Sequence, residues 1–166
     1  MAIHPTAVVD SKAKIGKDVV IGPYCIIGPD ATIRDGAKLM SHVVVDGITD
    51  IGAKCTIFPF AVLGTITQDL KFKGERTYIK IGEGTTIREY VTVNGATGDE
   101  AETVVGKNCH IMAYVHIAHN CIVGNQVIIA NAGTLAGCVT VEDQAIIGGL
   151  SGIHQFCRVG RLSIIG

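Results

Sequence analysis

The sequence predicts an all-β fold, a parallel β-helix of hexapeptide repeats with two projecting loops, on three observations. An aliphatic residue recurs at every sixth position, aromatic residues make up 5% of the chain with no Trp, and glycine is abundant at 21 of 166 residues. A period of six fits neither the 3.6 of an amphipathic helix nor the 2 of a long strand, and is a signature of parallel β-helices.

From the N-terminus the register runs Ile3, Val9, Ile15, Ile21, Ile27, Ile33, Leu39, Val45, Ile51, Ile57, Leu63. It resumes at Ile81, Ile87 and Val93, and runs again from Val105 to Ile165. The fifth position of the hexads is small, as at Ala7, Ala13, Val19, Cys25 and Ala31. Each hexad is one short strand and one turn, and three hexads make a coil of about 18 residues. The aliphatic and the small residue point into a narrow prism, which leaves no room for aromatics. Glycine follows the aliphatic in "IGPYCI", "IGPDAT" and "VGNQVI", where it is expected to supply a backbone conformation that a Cβ opposes.

Two polar interruptions break the register, residues 65–78 ("TITQDLKFKGERTY") and 94–103 ("NGATGDEAET"). A solenoid accepts such insertions as loops on one face, often the binding face. The first loop holds Gln68, Asp69, Lys71, Lys73, Glu75 and Arg76, which offer hydrogen bonds and positive charge to an anionic ligand. The second, acidic loop carries no assigned chemistry. Residues 1–166 read as one domain.

Five cysteines, Cys25, Cys55, Cys109, Cys121 and Cys157, occupy the small inward position and read as core hydrophobes. Cys138 falls outside it. A net charge of −1 gives no support for nucleic acid as a partner. No apolar run reaches the roughly 18 residues of a membrane span, and "MAIHPTAVVD" lacks the charged and apolar regions of a signal peptide. The expectation is a cytoplasmic protein without stable membrane insertion.

Residues 18 apart stack about 4.8 Å from one another. His119 then lies in one column with Gly137 and Gln155, Asn120 stacks with Cys138, and Ala136 with His154. A glycine over a histidine leaves a peptide N–H accessible beside an imidazole. Acyl transfer needs that pair, a base for the nucleophile and a donor for the oxyanion. His116 and His119 fall on either side of a turn and are expected to diverge, which argues against a metal site within one chain. His4, His42 and His110 share no column with His119 and read as surface residues.

"QDLK" (Gln68 to Lys71), "HIAHNC" (His116 to Cys121) and "IHQF" (Ile153 to Phe156), in that order on hexapeptide repeats, resemble the UDP-N-acetylglucosamine O-acyltransferases of lipid A biosynthesis. "SHVVV", "IRE" and "TLAG" match as well. The resemblance implies a left-handed β-helix and a homotrimer with sites between neighbouring prisms. It implies transfer of a 3-hydroxyacyl chain from acyl carrier protein to the 3-hydroxyl of a UDP-sugar, with no metal or organic cofactor. His119 matches the catalytic base and Gly137 the oxyanion donor. Gln68, Asp69 and Lys71 match loop residues that bind substrate from the adjacent subunit, and His116, His154 and Gln155 match residues lining the site. The sequence departs from the family at Asn120 (usually Asp), at Cys138 (usually His) and at "NGAT" (usually "HRGT"). These departures leave the acceptor open between UDP-N-acetylglucosamine and its 3-amino analogue. The family also carries a helical C-terminal domain beyond the position of Gly166. Two other readings stay open: a metal-dependent, carbonic anhydrase-like hydratase on the same scaffold, and an inactive hexapeptide-repeat assembly subunit.

Overall fold

A computed structural model describes residues 2–166. Twenty-five strands, most of them two residues long, form three parallel sheets of nine, eight and eight strands. Successive strands of the chain fall on successive sheets, and every pairing is parallel, so the chain winds as a left-handed parallel β-helix with three flat faces. The first sheet runs from Ala2–Ile3 to Ile164–Ile165, the second from Val8–Val9 to Gly152–Ile153, and the third from Lys14–Ile15 to Arg158–Val159.

Register follows the 18-residue coil, with Ile3 opposite Ile21 and Ile117 opposite Leu135 opposite Ile153. Across the first loop Ile57 pairs with Ile87, a separation of 30; across the second Ile87 pairs with Ile111, a separation of 24. The insertions therefore amount to two hexads and one (30 − 18 = 12; 24 − 18 = 6), and the inward phase survives both. Strands Val62–Thr65 and Thr92–Asn94 run out to the loops, so the projecting segments are 66–77 and 95–101, slightly shorter than the sequence suggests.

The core is one continuous aliphatic column. Ile21, Ile27, Ile57, Ile111, Ile117 and Leu135 are each at most 2% exposed, and burying one such side chain stabilises by about 1.5–3 kcal/mol. Threonines take the small position at three levels and use their hydroxyls on the backbone. Thr49 donates to the Asp46 carbonyl, Thr85 donates to the Gly106 carbonyl, and Thr103 accepts from the Asn120 N–H. Cys25, Cys55, Cys109 and Cys121 are buried as expected, each thiol donating to a carbonyl of the next coil. Cys157, expected in the core, is exposed instead.

The role assigned to the repeat glycines changes. Positive φ falls two residues later, on seventeen non-glycine residues such as Asp18, Tyr24 and Asn120, with φ between 52° and 65°. The glycine after the aliphatic is needed for close approach. A Cβ on Gly22 would lie 2.8 Å from Met40 C, and one on Gly52 would lie 2.6 Å from Glu83 N.

Aromatics excluded from the core line the edge between the first and second sheets. Tyr24, His42, Phe60, Tyr90 and Tyr114 stack with centroid spacings of 5.0, 4.7, 5.0 and 4.9 Å, which follow the strand spacing. His42 is thus part of a ring ladder rather than an isolated surface histidine. No helix among the described residues is long and apolar enough to cross a membrane.

Candidate active site

The edge where the second sheet turns into the third carries the chemistry. Strands His116–Ile117, Thr134–Leu135 and Gly152–Ile153 stack there, and each is followed by a turn with a left-handed residue, Asn120, Cys138 or Phe156. Backbone bonds from Cys138 N–H to the His119 carbonyl (2.9 Å) and from Phe156 N–H to the Gly137 carbonyl (3.2 Å) lock the three turns together. The predicted column of His119, Gly137 and Gln155 is present.

A cleft of ≈ 450 Å³ runs along this edge, lined by Gln68, Asp69, Leu70, Lys71, Asn94, His116, Ala118, His119, Gly137 and Gln155. Seven of the eight residues singled out in the sequence therefore meet. The eighth, His154, is exposed next to Gln155, its Nδ1 3.2 Å from the Gln155 carbonyl oxygen, and does not line the cleft.

Asn120 sets the state of the His119 ring. The Asn120 amide is held at both ends by Thr97: Thr97 N–H donates to Oδ1 (2.9 Å) and Nδ2–H donates to the Thr97 carbonyl (3.1 Å). Oδ1 can only accept, so His119 Nδ1, 2.8 Å away, must be the donor. Nδ1 therefore carries a proton, and in the neutral ring Nε2 is the nitrogen with the lone pair. Nε2 lies under Gly137, where any Cβ would overlap the ring, and 4.0 Å from Asp69 Oδ2. The Gly137 N–H donates to no protein acceptor among the described residues. The site thus sets the imidazole Nε2 beside an unused peptide donor.

The first loop approaches His119 of its own chain, with Asp69 Oδ2 4.0 Å from Nε2. Asp69 caps its own turn: Thr67 Oγ1 accepts the Asp69 N–H, and Asp69 Oδ1 accepts the Lys71 N–H, both at 3.0 Å. That Lys71 N–H, with the nearby His119, holds the Asp69 carboxyl below its ordinary range. Lys71 brings a positive charge to the same wall. Arg76, Lys73 and Glu75 do not reach the cleft. Arg76 faces Glu100 of the second loop at 4.0 Å, and Glu75 accepts the Lys73 N–H.

His116 and His119 do not diverge as expected, since both line the cleft. His116 Nδ1 is 2.7 Å from the Thr92 hydroxyl of the adjacent strand, and burial pushes its pKa down, which favours the neutral ring. Among the described residues of one chain, no three His, Cys, Asp or Glu side chains are grouped to hold a metal ion.

Sequence reasoning missed the second loop. Asn94 lines the cleft, and Thr97 clamps Asn120; the Thr97 hydroxyl stands near Asp69 but outside hydrogen-bond geometry. The signal was the coincidence of two polar insertions on the same sheet, at strands that pair with each other. Cys138, one rung from Asn120, is half-buried, and burial raises its thiol pKa.

Comparison with known proteins shows which sequences and folds the chain is similar to. The bacterial transferase hexapeptide (six repeats) model matches residues 12–47 and 102–137. The acyl-[acyl-carrier-protein]–UDP-N-acetylglucosamine O-acyltransferase of Thermodesulfovibrio yellowstonii is 56% identical over 86% of this chain and 56% of its own length. That of Verminephrobacter eiseniae is 51% identical over 99% of the chain and 63% of its own length. The chain thus spans less than two thirds of these curated relatives. Among solved structures, the UDP-N-acetylglucosamine acyltransferase of Bacteroides fragilis superposes with a TM-score of 0.96 at 42% identity, covering 99% of this chain and 64% of that one. LpxA from Acinetobacter baumannii gives 0.93 at 48% identity, covering 100% and 67%.

Proposed function

The chain belongs to the UDP-N-acetylglucosamine O-acyltransferase family, and from that membership we propose that it transfers a 3-hydroxyacyl chain from acyl carrier protein to the 3-hydroxyl of UDP-N-acetylglucosamine, the first step of lipid A biosynthesis. The observation that carries the reading is the pairing of His119 Nε2, in a ring whose Nδ1 is fixed as a donor by Asn120, with the free N–H of Gly137.

In this scheme Nε2 takes the proton of the sugar hydroxyl as its oxygen attacks the thioester carbonyl carbon. The negative charge that develops on the carbonyl oxygen is met by the Gly137 N–H. Collapse breaks the carbon–sulfur bond, and the carrier thiolate leaves with the proton from the His119 imidazolium. Asn120 Oδ1 accepts from Nδ1 in both the neutral and the charged ring, so the ring need not turn during the cycle. Lys71 supplies the cation for the diphosphate of the sugar nucleotide. Gln68, Asp69, His116 and Gln155 supply polar contacts along the wall, and His154 serves the outer rim. The 3-amino analogue is the alternative acceptor, supported by the neutral Asn120 and by "NGAT" in the second loop.

We take the working form to be a cytoplasmic homotrimer. Support comes from the uncharged aromatic edge: Tyr24, Phe60, Tyr90 and Tyr114 are 43–62% exposed, and Val8 and Ile26 on the adjoining second sheet are 65% and 51% exposed. All six cysteines are free, which suits a reducing compartment.

The test is transfer from 3-hydroxyacyl-[acyl carrier protein] to each of the two UDP-sugars, with His119→Ala beside the parent. The expected result is product with one sugar preferred, and a loss of about 10²–10⁴-fold in the variant. Product from neither sugar, or a variant within about threefold of the parent, would refute the assignment.

A further inference from the structure

Leu70 stands at the tip of the first loop with its whole side chain in solvent, at 101% relative exposure. An isolated surface leucine is ordinary. Two features set this one apart. The first is rigidity. Thr67 Oγ1 accepts the Asp69 N–H, Asp69 Oδ1 accepts the Lys71 N–H, and the Asp69 carbonyl accepts the Phe72 N–H, all at 3.0 Å. Leu70 is therefore held inside a closed turn. The second is place. Asp69 and Lys71 on either side of it line the cleft, and so does Leu70. Of the ten lining residues it is the one large aliphatic; the others are polar, charged, Ala or Gly.

An acyl thioester whose carbonyl sits between His119 Nε2 and the Gly137 N–H has this cleft, with Leu70 on its wall, within reach of its hydrocarbon chain. Polar walls offer that chain nothing in exchange for the water it loses. We propose that Leu70 is the residue of the first loop that grips the hydrocarbon chain of the acyl donor, and so helps set which chain lengths are accepted. The inference rests on the acyl-transfer reading above. It gives the loop two tasks on adjacent residues: Asp69 and Lys71 handle the polar substrate, and Leu70 handles the lipid part.

Transfer of one methylene from water to an apolar contact is worth about fourfold in binding. The effect of Leu70 must therefore grow with chain length, which a purely structural role would not produce. The experiment measures binding of 3-hydroxybutyryl-, 3-hydroxyoctanoyl- and 3-hydroxymyristoyl-pantetheine to the parent, Leu70→Ser and Leu70→Met by titration calorimetry. Light scattering is run on each variant. Since Leu70 packs on nothing, neither substitution should change the thermal midpoint. Leu70→Ser is expected to weaken the two longer ligands by about tenfold, to leave the butyryl ligand within about twofold, and to be rescued by Leu70→Met. An equal loss for all three ligands, no loss for any, or a change of oligomeric state would overturn the proposal. The same series run as transfer to the UDP-sugar separates this claim from the one beneath it. Length-dependent binding without any transfer leaves Leu70 in place and removes the catalytic reading.

Discussion

Replacing Gly137 with Ala tests the column directly. The added Cβ would overlap His119 at Nε2 and Cε1 and lie 2.9 Å from Cδ2, against an ordinary carbon contact of about 3.5–4.0 Å. The backbone at Gly137 is fixed on both sides by the Cys138–His119 and Phe156–Gly137 bonds, so the ring must give way. Moving it by about 1 Å stretches the 2.8 Å bond to Asn120 and forces χ off its minimum. The two effects cost about 0.5–1.5 kcal/mol each. The expected destabilisation is about 1–3 kcal/mol, a fall in thermal midpoint of roughly 2–12 °C for a chain of this size. Misplacing a reacting group by about 1 Å can cost 10²-fold in rate, so kcat should fall by about that factor or more. Gly149 is the control, because it holds the same hexad position on the aromatic edge. A Cβ there would meet the Asn131 oxygen at 3.3 Å and Ala130 Cβ at 4.0 Å, which small shifts absorb. Thermal melts and steady-state transfer rates for the two variants decide the matter. Gly137→Ala within about threefold of the parent, or Gly149→Ala equally impaired, would refute the reasoning.

Asn120→Leu removes the acceptor for His119 Nδ1 and both bonds to Thr97, and should lower kcat by about 10–100-fold with little change in KM; kcat within threefold of the parent would refute a tautomer-setting role. Asn120→Asp keeps both accepted bonds and adds a charge that favours the imidazolium, so kcat should hold or rise. It sets an oxygen against the Thr97 carbonyl, and a midpoint that does not fall would contradict the clamp. Burial pushes the thiols of Cys55 and Cys121 up to about 11, so they stay protonated in the fold while the unfolded chain ionises near 9. The contribution of these thiols should be flat below pH 9, and stability should fall by about 1.4 kcal/mol per pH unit per thiol between pH 9 and 11; a flat alkaline limb in denaturant titrations would contradict this. A thiol reagent at neutral pH should modify Cys157 and Cys138 in the native protein and all six thiols in denaturant, with mass spectrometry reading the sites. Tyr90→Glu should shift the protein toward monomer in light scattering while Lys17→Ser does not, and an unchanged oligomer would remove the aromatic edge from the assembly.

The fold was legible because a narrow prism constrains every inward position alike. Ile21, Ile27 and Ile117 each had to be aliphatic, and the error at any one level could be checked against twenty others. The His119–Gly137–Gln155 column followed from the coil length alone. What escaped was local. The glycine after each aliphatic was read as a conformational device, but the αL residue is Tyr24 or Asn120, and the glycine makes room for the next coil's backbone. Sequence spacing says nothing about that clearance. The direction of the first loop was also invisible. Asp69 meets His119 of its own chain through a turn closed by Thr67, a contact that no periodicity encodes. Thr97 was passed over because its contribution is made by backbone N–H and C=O, which every residue carries.

A coil of 18 residues makes this site a matter of reading frame. The two insertions are worth twelve and six residues, and both keep every aliphatic pointing inward. A further insertion of six between Ile117 and Leu135 would do the same, so the prism would fold and the core would stay intact. Gly137 would nevertheless be carried to the next edge, a third of a turn from His119. An insertion of eighteen would return it to the same edge one storey too high. Deletions and duplications by hexads, the changes this architecture tolerates best, are thus silent for stability and fatal for chemistry anywhere between the first loop and Gln155. Outside that span they alter only the height of the prism. A lineage of such proteins is free to grow or shorten away from the site and bound to keep its length across the rungs that build it.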